Sequence, residues 1–576
     1  MLLNAGIAGG VFAAYLTVLV LQLNPSIPLR AGTVGALVLP ILLLHGTFVA
    51  LVFYGLLLVR HLLADTVLSP GWVSFQLLVW LCLIASGVAA TLMWLNLSGL
   101  RVTLEDEVAR RMAWGAVVLT LGVALLVGLG VFRFSFGRGG RLGPAAFGIV
   151  VFASVAVPLW LRGSPRAPHP APRPEDGVSS FAAYPRGRVA ILLLDGASLD
   201  FISPAVADGG LPNIGRILED GAVMHLATLR PTQPAPVLTA IATGKLPLHT
   251  GVRSAALYRA RPAGPTLELL PDYCFAHGLV AAGLFEERAH TSASLRARPL
   301  WAILSSSGIS AAVVRWPLTY PARSLPGEAA TDRLHAAPAS LSVAYPPELA
   351  TRLRVLAEPP EGASVVVSDA ASAPPALSAP AVHQFAGAAA LALDRLYSGA
   401  LDRFRDGPEA RLVAMRYVGL DTVGHDYLRQ AMPRAFGDVP EEERRRYGTV
   451  LQQYYRYIDG EIGRAIERLG PDDLLLVVSP FGMEPLSLPK RLLERALGNH
   501  ESGTHERAPD GFLMAFGSAV RAGRLRRGSV LDVAPTVLYY FGLPIGRDMD
   551  GYARTDLFTP PFTAARPLAF IPTYER

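Results

Sequence analysis

Charge is nearly missing from the first part of this chain, and lysine is nearly missing from all of it. Before about residue 162, charged side chains occur only in short clusters between apolar runs. That scarcity excludes an ordinary soluble domain for this segment, because several helices apolar all round are rarely found together in one. Cysteine is scarce too. Cys82 lies in an apolar run and Cys274 far downstream, so a disulfide between them is not expected, and their number fits either redox compartment. No internal repeat, heptad run or long charge block is present. The net charge of +6 is arginine-driven and modest for 576 residues. It does not indicate nucleic-acid binding.

The length suggests more than one domain. The composition is 51% hydrophobic with a mean hydropathy of +0.36, and the excess is concentrated at the N-terminal end. Five apolar runs, roughly 5–23, 36–59, 73–97, 113–132 and 145–161, each approach the ~20 residues that cross a bilayer. The first lacks a basic leader and a small-x-small cleavage site, so it reads as an uncleaved helix. Trp72, Trp94, Trp114 and Trp160 fall near run ends, as an interfacial aromatic belt requires, whereas Trp80 lies deeper. No charge sits in the middle of a run, which argues against a transporter. Residues 1–162 are therefore expected to be an all-α transmembrane domain with membrane lipids as partners. Loop arginines divide into Arg30, Arg101, Arg110, Arg111, Arg162 and Arg166 on one side, and Arg60, Arg133, Arg138 and Arg141 on the other. Charge bias alone favours a cytosolic C-terminal domain.

Residues 163–184 form a proline-rich, semi-rigid tether. Beyond it, over 185–576, the texture changes. Val189–Leu194, Ala311–Val314, Arg411–Tyr417 and Leu474–Val478 read as buried strands. Pro212–Asp220, Leu300–Ser307, Val382–Arg405 and Tyr447–Leu469 read as helices. This alternation predicts an α/β domain with a mostly parallel sheet flanked by helices. A stretch near 255–380 reads as a cap or irregular insertion, most weakly patterned over the Ala, Pro and Ser-rich 325–380. Active residues in such folds gather at the carboxyl ends of strands, where Asp195 and Ser479 lie.

Asp421 and His425 are four residues apart, which on a helix puts a carboxylate and an imidazole on one face. With His505 they make an Asp-His-His set suited to one divalent ion with an open position. They can equally be a turn residue and two surface histidines. Thr232, among prolines and before a helix expected at Val237–Thr243, can cap that helix or attack a phosphorus whose oxygens face helix N–H groups. Asp195 can be a turn residue or a ligand.

Taken together, several segments resemble the alkaline phosphatase superfamily, within it the type I phosphodiesterase/nucleotide pyrophosphatase branch. They are Val189 to Gly196 with Leu211-Pro212-Asn213, Pro231-Thr232 to Pro247, Trp301 with Val313 to Pro321, Gly419 to His425, Thr504-His505 with Asp510-Gly511, and Leu531 to Pro544. The resemblance implies that Asp421, His425 and His505 hold one zinc-like ion and that Asp195 and Thr232 face a second. It implies that Thr232 is the nucleophile, with a phosphoester as substrate. Where the family reads Ser-Asp-His-Gly, this chain reads Ser479-Pro480-Phe481-Gly482. Pro and Phe cannot ligate, so the second site is impaired unless His500 or Glu501 substitutes. The architecture is also similar to lipoteichoic acid synthases and phosphoethanolamine transferases, which favours an extracytoplasmic C-terminal domain. Two functions follow: a membrane-anchored phosphoester hydrolase or phosphotransferase, or a non-catalytic, membrane-tethered binding protein. A sulfatase is disfavoured, because Thr232 is neither the Cys nor the Ser that such enzymes modify.

Overall fold

The structure of the chain, a computed structural model, describes residues 1–64, 74–132, 141–163, 187–336, 340–357, 387–404, 410–437, 439–496 and 501–575. Trp72, Arg133, Arg138, Arg166, His500 and all of the tether after Gly163 lie outside them. The chain forms two compact units, Met1–Pro170 with Arg253–Ala289, and Ala171–Val252 with His290–Arg576.

Among the described residues of the first unit, five helices are long and apolar enough to cross a membrane: Leu2–Leu23, Ala31–Leu63, Phe75–Gly99, Asp106–Val131 and Leu142–Leu161. The second is longer than its apolar run, and a π-helical turn at Leu42–Gly46 interrupts it just after Pro40, which has no N–H to continue the ladder. Small residues let two backbones approach closely, since a Cβ at Gly9 would lie 2.3 Å from the Gly46 carbonyl oxygen. Arg162 is buried. Its guanidinium donates to the carbonyls of Leu21, Asn24 and Ile27, each at 2.6 Å, and so satisfies the carboxyl end of the first helix.

The segment Arg253–Ala289 belongs to this unit, not to the C-terminal domain in which the sequence places it. It is a small antiparallel sheet of Thr266–Leu267, Ala256–Ala260 and Phe285–Ala289. Two helix-end amides hold it. Asn24 pairs with the backbone of Glu268 and Leu269, and Asn96 with that of Asp272.

The second unit is built on a ten-stranded sheet. Its order is Gly523–Arg524, Ala222–Ala227, Asp510–Phe516, Leu474–Phe481, Val189–Leu194, Leu412–Tyr417, Ala311–Val314, Gly327–Ala330 and Ala344–Tyr345, with Gly528–Ser529 also pairing on Ala222–Ala227. The five from Leu474–Phe481 to Gly327–Ala330 run parallel, while Asp510–Phe516 runs antiparallel between its two neighbours. Continuous apolar strands are what a sheet covered on both faces requires. Val189, Ile191 and Leu193 enter one core, and Leu192 and Leu194 the other. The expected strands and helices are present with small changes at their ends. Leu474–Phe481 runs on through Pro480, and the helix expected at Val382–Arg405 is described over Ala388–Phe404, with residues 382–386 and 405 outside the described residues. The Ala-rich stretch after 325 adds the edge strands Gly327–Ala330 and Ala344–Tyr345 and the helix Pro347–Ala357, and residues 358–386 lie outside the described residues.

Candidate active site

The candidate side chains gather at one end of the strands of this sheet, the carboxyl end of its parallel strands. Asp195 follows Val189–Leu194, and its N–H extends the ladder by donating to the Tyr417 carbonyl at 3.0 Å. Thr232 follows Ala222–Ala227, which runs the same way. His505 precedes Asp510–Phe516, whose antiparallel direction brings its start to the same end, with Asp510 opposite Phe481.

Asp421 lies in the first turn of the helix Gly419–Ala431, directly after Leu412–Tyr417. His425 is one turn on, with Nε2 3.7 Å from Asp421 Oδ2. Its Nδ1 is 2.8 Å from the Gly503 carbonyl oxygen, which selects the tautomer with the lone pair on Nε2. The His505 ring centroid is 5.3 Å from that of His425, and His505 Nδ1 is 3.3 Å from the Thr232 carbonyl oxygen. One ligand atom from each of Asp421, His425 and His505 lies within 4.8 Å of the others. Asp421 Oδ1 is buried without a hydrogen-bond partner. Burial pushes the Asp421 carboxyl above the usual range, His425 opposes that, and nearby Asp195 adds to it. A carboxylate with an orphaned oxygen beside two imidazoles of fixed tautomer fits a divalent cation.

Thr232 is buried, but it is not the helix cap. The following helix starts earlier than expected, at Pro234, with Gln233 as its N-cap. The Thr232 hydroxyl donates to the Leu229 carbonyl at 3.1 Å, so its oxygen keeps its lone pairs.

Asp195 is not in the Asp-His-His group. Its Oδ2 accepts two hydrogen bonds from Arg416, from Nε at 2.9 Å and from a terminal nitrogen at 2.5 Å, while Oδ1 is buried and unpartnered. Sequence reasoning missed Arg416. Its one signal is a lone charge inside the otherwise apolar strand Leu412–Tyr417. Burial works against the guanidinium's charge, but Asp195, Asp332 and Asp421 outweigh it, so its pKa is raised. Phe481 is fully buried with its ring centroid 4.8 Å from that of His505. Of the suggested substitutes, Glu501 is exposed and His500 lies outside the described residues.

The Thr-Gly-Lys segment after the Thr232 helix has a structural use. Lys245 is buried and pairs with Asp548 at 2.6 Å and Glu575 at 2.8 Å, which fastens the C-terminal tail.

The family model for type I phosphodiesterase / nucleotide pyrophosphatase matches residues 189–534. No curated protein matches the sequence. Among solved structures, an inactive variant of murine ectonucleotide pyrophosphatase/phosphodiesterase 5 in complex with AMP aligns with a TM-score of 0.39 and 12% identity, over 65% of this chain and 100% of that one. The human protein of the same name aligns with a TM-score of 0.38 and 11% identity over the same shares.

Proposed function

Because the chain belongs to the type I phosphodiesterase / nucleotide pyrophosphatase family, we propose that its second unit hydrolyses or transfers phosphoesters while the first anchors it in a membrane. The observation that carries the reading is the convergence of Asp421, His425 and His505 within 4.8 Å, with His505 against the Thr232 backbone. A divalent ion such as zinc, held by those three residues, would supply positive charge beside the reacting oxygens and favour deprotonation of a nearby hydroxyl. Thr232 Oγ attacks the phosphorus, and its O–P bond forms as the bond to the leaving oxygen breaks. The leaving group departs with the electron pair and takes up a proton. Water then attacks the phospho-threonine, giving one proton to solvent, and Thr232 leaves as the hydroxyl. The two prolines flanking Thr232, Pro231 and Pro234, limit backbone motion around the nucleophile.

The test is release of p-nitrophenol from bis-p-nitrophenyl phosphate by the full chain in detergent, supplied with zinc or manganese. Activity should vanish with a chelator and in Thr232→Ala. A metal-loaded wild type without turnover overturns the reading. Pro480-Phe481 favours a second reading, a non-catalytic tethered binding protein, and trapping phospho-threonine at Thr232 would eliminate it.

We further propose that the second unit is extracytoplasmic. In sealed right-side-out vesicles, external protease should then remove it. Protection there, with cleavage only after permeabilisation, would put it in the cytosol.

A further inference from the structure

The surroundings of Asp195 do not fit a second metal ion. One of its carboxylate oxygens already takes both donors of Arg416. The side chains at Pro480 and Phe481 carry no ligand atom, and Phe481 packs its ring against His505. Glu501 points to solvent. Among the described residues, Asp195 Oδ1 is the oxygen that Arg416 leaves without a hydrogen-bond partner.

Asp195, Asp332 and Asp421 all act on the Arg416 guanidinium. The turn after Asp195 runs close to Asp421, since a Cβ at Gly196, the next residue, would lie 3.0 Å from Asp421 Oδ1. A cation fixed on Asp195 therefore stands next to the metal group. Arginine suits this post, because its guanidinium stays charged when buried and holds a carboxylate in fixed geometry.

We propose that Arg416 takes the place of a second metal ion, so that this centre works with one divalent cation and one resident guanidinium. The proposal rests on the phosphoester reading for its catalytic meaning, but its structural content is a metal count.

The experiment measures metal per chain by elemental mass spectrometry, on full-length protein in detergent dialysed against zinc or manganese. Wild type should hold one ion. Pro480→Asp/Phe481→His, which restores two potential ligands, should still hold one, because Arg416 keeps Asp195. Adding Arg416→Met to that pair should raise the count to two. Two ions in wild type, or in the pair with Arg416 intact, would overturn the proposal. If the pair fails to fold, single variants decide. Arg416→Met should keep one ion and lose at least about 100-fold in kcat/KM, while Arg416→Lys, which keeps the charge, should recover most of that loss. Unchanged turnover in Arg416→Met would also overturn it. An inactive chain that binds one ion defeats the hydrolase reading and leaves this one standing. An active chain that binds two does the reverse.

Discussion

The buried Asp394 carboxylate accepts the backbone N–H of Gly419 at 3.2 Å, two residues before Asp421. The same carboxylate accepts from the Val418 N–H at 3.3 Å and the Tyr454 hydroxyl at 2.7 Å, and it pairs with Arg315. The turn that delivers Asp421 to the site is thus held from behind by a charged group in the core.

Removing that group should cost stability and metal together. Asp394→Ala leaves the Arg315 guanidinium buried and uncompensated, a change worth about 3–5 kcal/mol. Tyr454→Phe removes one hydrogen bond to the carboxylate and should cost only about 1 kcal/mol. Denaturant unfolding of the full chain in detergent ranks the two. Zinc affinity should fall in the same order, because both loosen the turn before Asp421. Equal stability of Asp394→Ala and wild type would show that the turn stands without its support.

Much of this architecture is legible in the sequence, and what is missed has a common cause. Apolar runs mark the five long helices and the buried strands, because burial on all sides leaves no room for charge. Asp421 and His425 are legible as a pair, since four residues on a helix bring them to one face. Arg416 with Asp195, and Asp394 with Gly419, have no such local signature. The first pair is 221 residues apart and meets only once two strands are neighbours. The placement of Arg253–Ala289 is hidden for the same reason, because it depends on Asn24 and Asn96, polar residues at helix ends that look like ordinary turn residues until their partners are seen.

A second prediction concerns pH. His249 Nδ1 lies 2.8 Å from Asp550 Oδ2, and Asp550 also accepts the Leu246 N–H at 2.7 Å. The Asp550 hydrogen bond raises the imidazole above its ordinary 6.5, with burial and Lys245 opposing and Asp548 assisting. Burial pushes the Asp550 carboxyl up, but His249 and the Leu246 N–H outweigh it and hold it below 3.8. The raised imidazole stabilises the fold fully below 6.5, and that contribution is lost as pH rises through its folded value. The lowered carboxyl stabilises it fully above 3.8, and that contribution is lost as pH falls through its folded value. The pair therefore helps most in the mildly acidic window between them. His249 is half exposed, so the effect should not exceed about 1 kcal/mol. His249→Gln should flatten the decline in melting temperature between about pH 6 and pH 8. A wild-type profile as flat as the variant's would show that the pair does not titrate with folding.

The last prediction separates backbone strain from a local clash at the site. Gly196 adopts φ 70°, in the left-handed region, and a Cβ there would lie 3.0 Å from both Cα and Oδ1 of Asp421. Gly209 adopts φ 72°, in the same region, but a Cβ there meets nothing within 4 Å. Both Gly→Ala changes carry the same left-handed penalty of about 1–2 kcal/mol. Only Gly196→Ala also pushes on Asp421, whose backbone atom cannot swing away as a flexible side chain would. Gly209→Ala should therefore lower the melting temperature of the full chain and leave zinc affinity at the wild-type value. Gly196→Ala should lower it further and weaken zinc binding at least tenfold, a shift equivalent to about 1.4 kcal/mol. Equal zinc affinities in the two variants would mean that Asp421 yields without cost, and the tight approach between the Asp195 turn and Asp421 would then play no part in holding the metal group together.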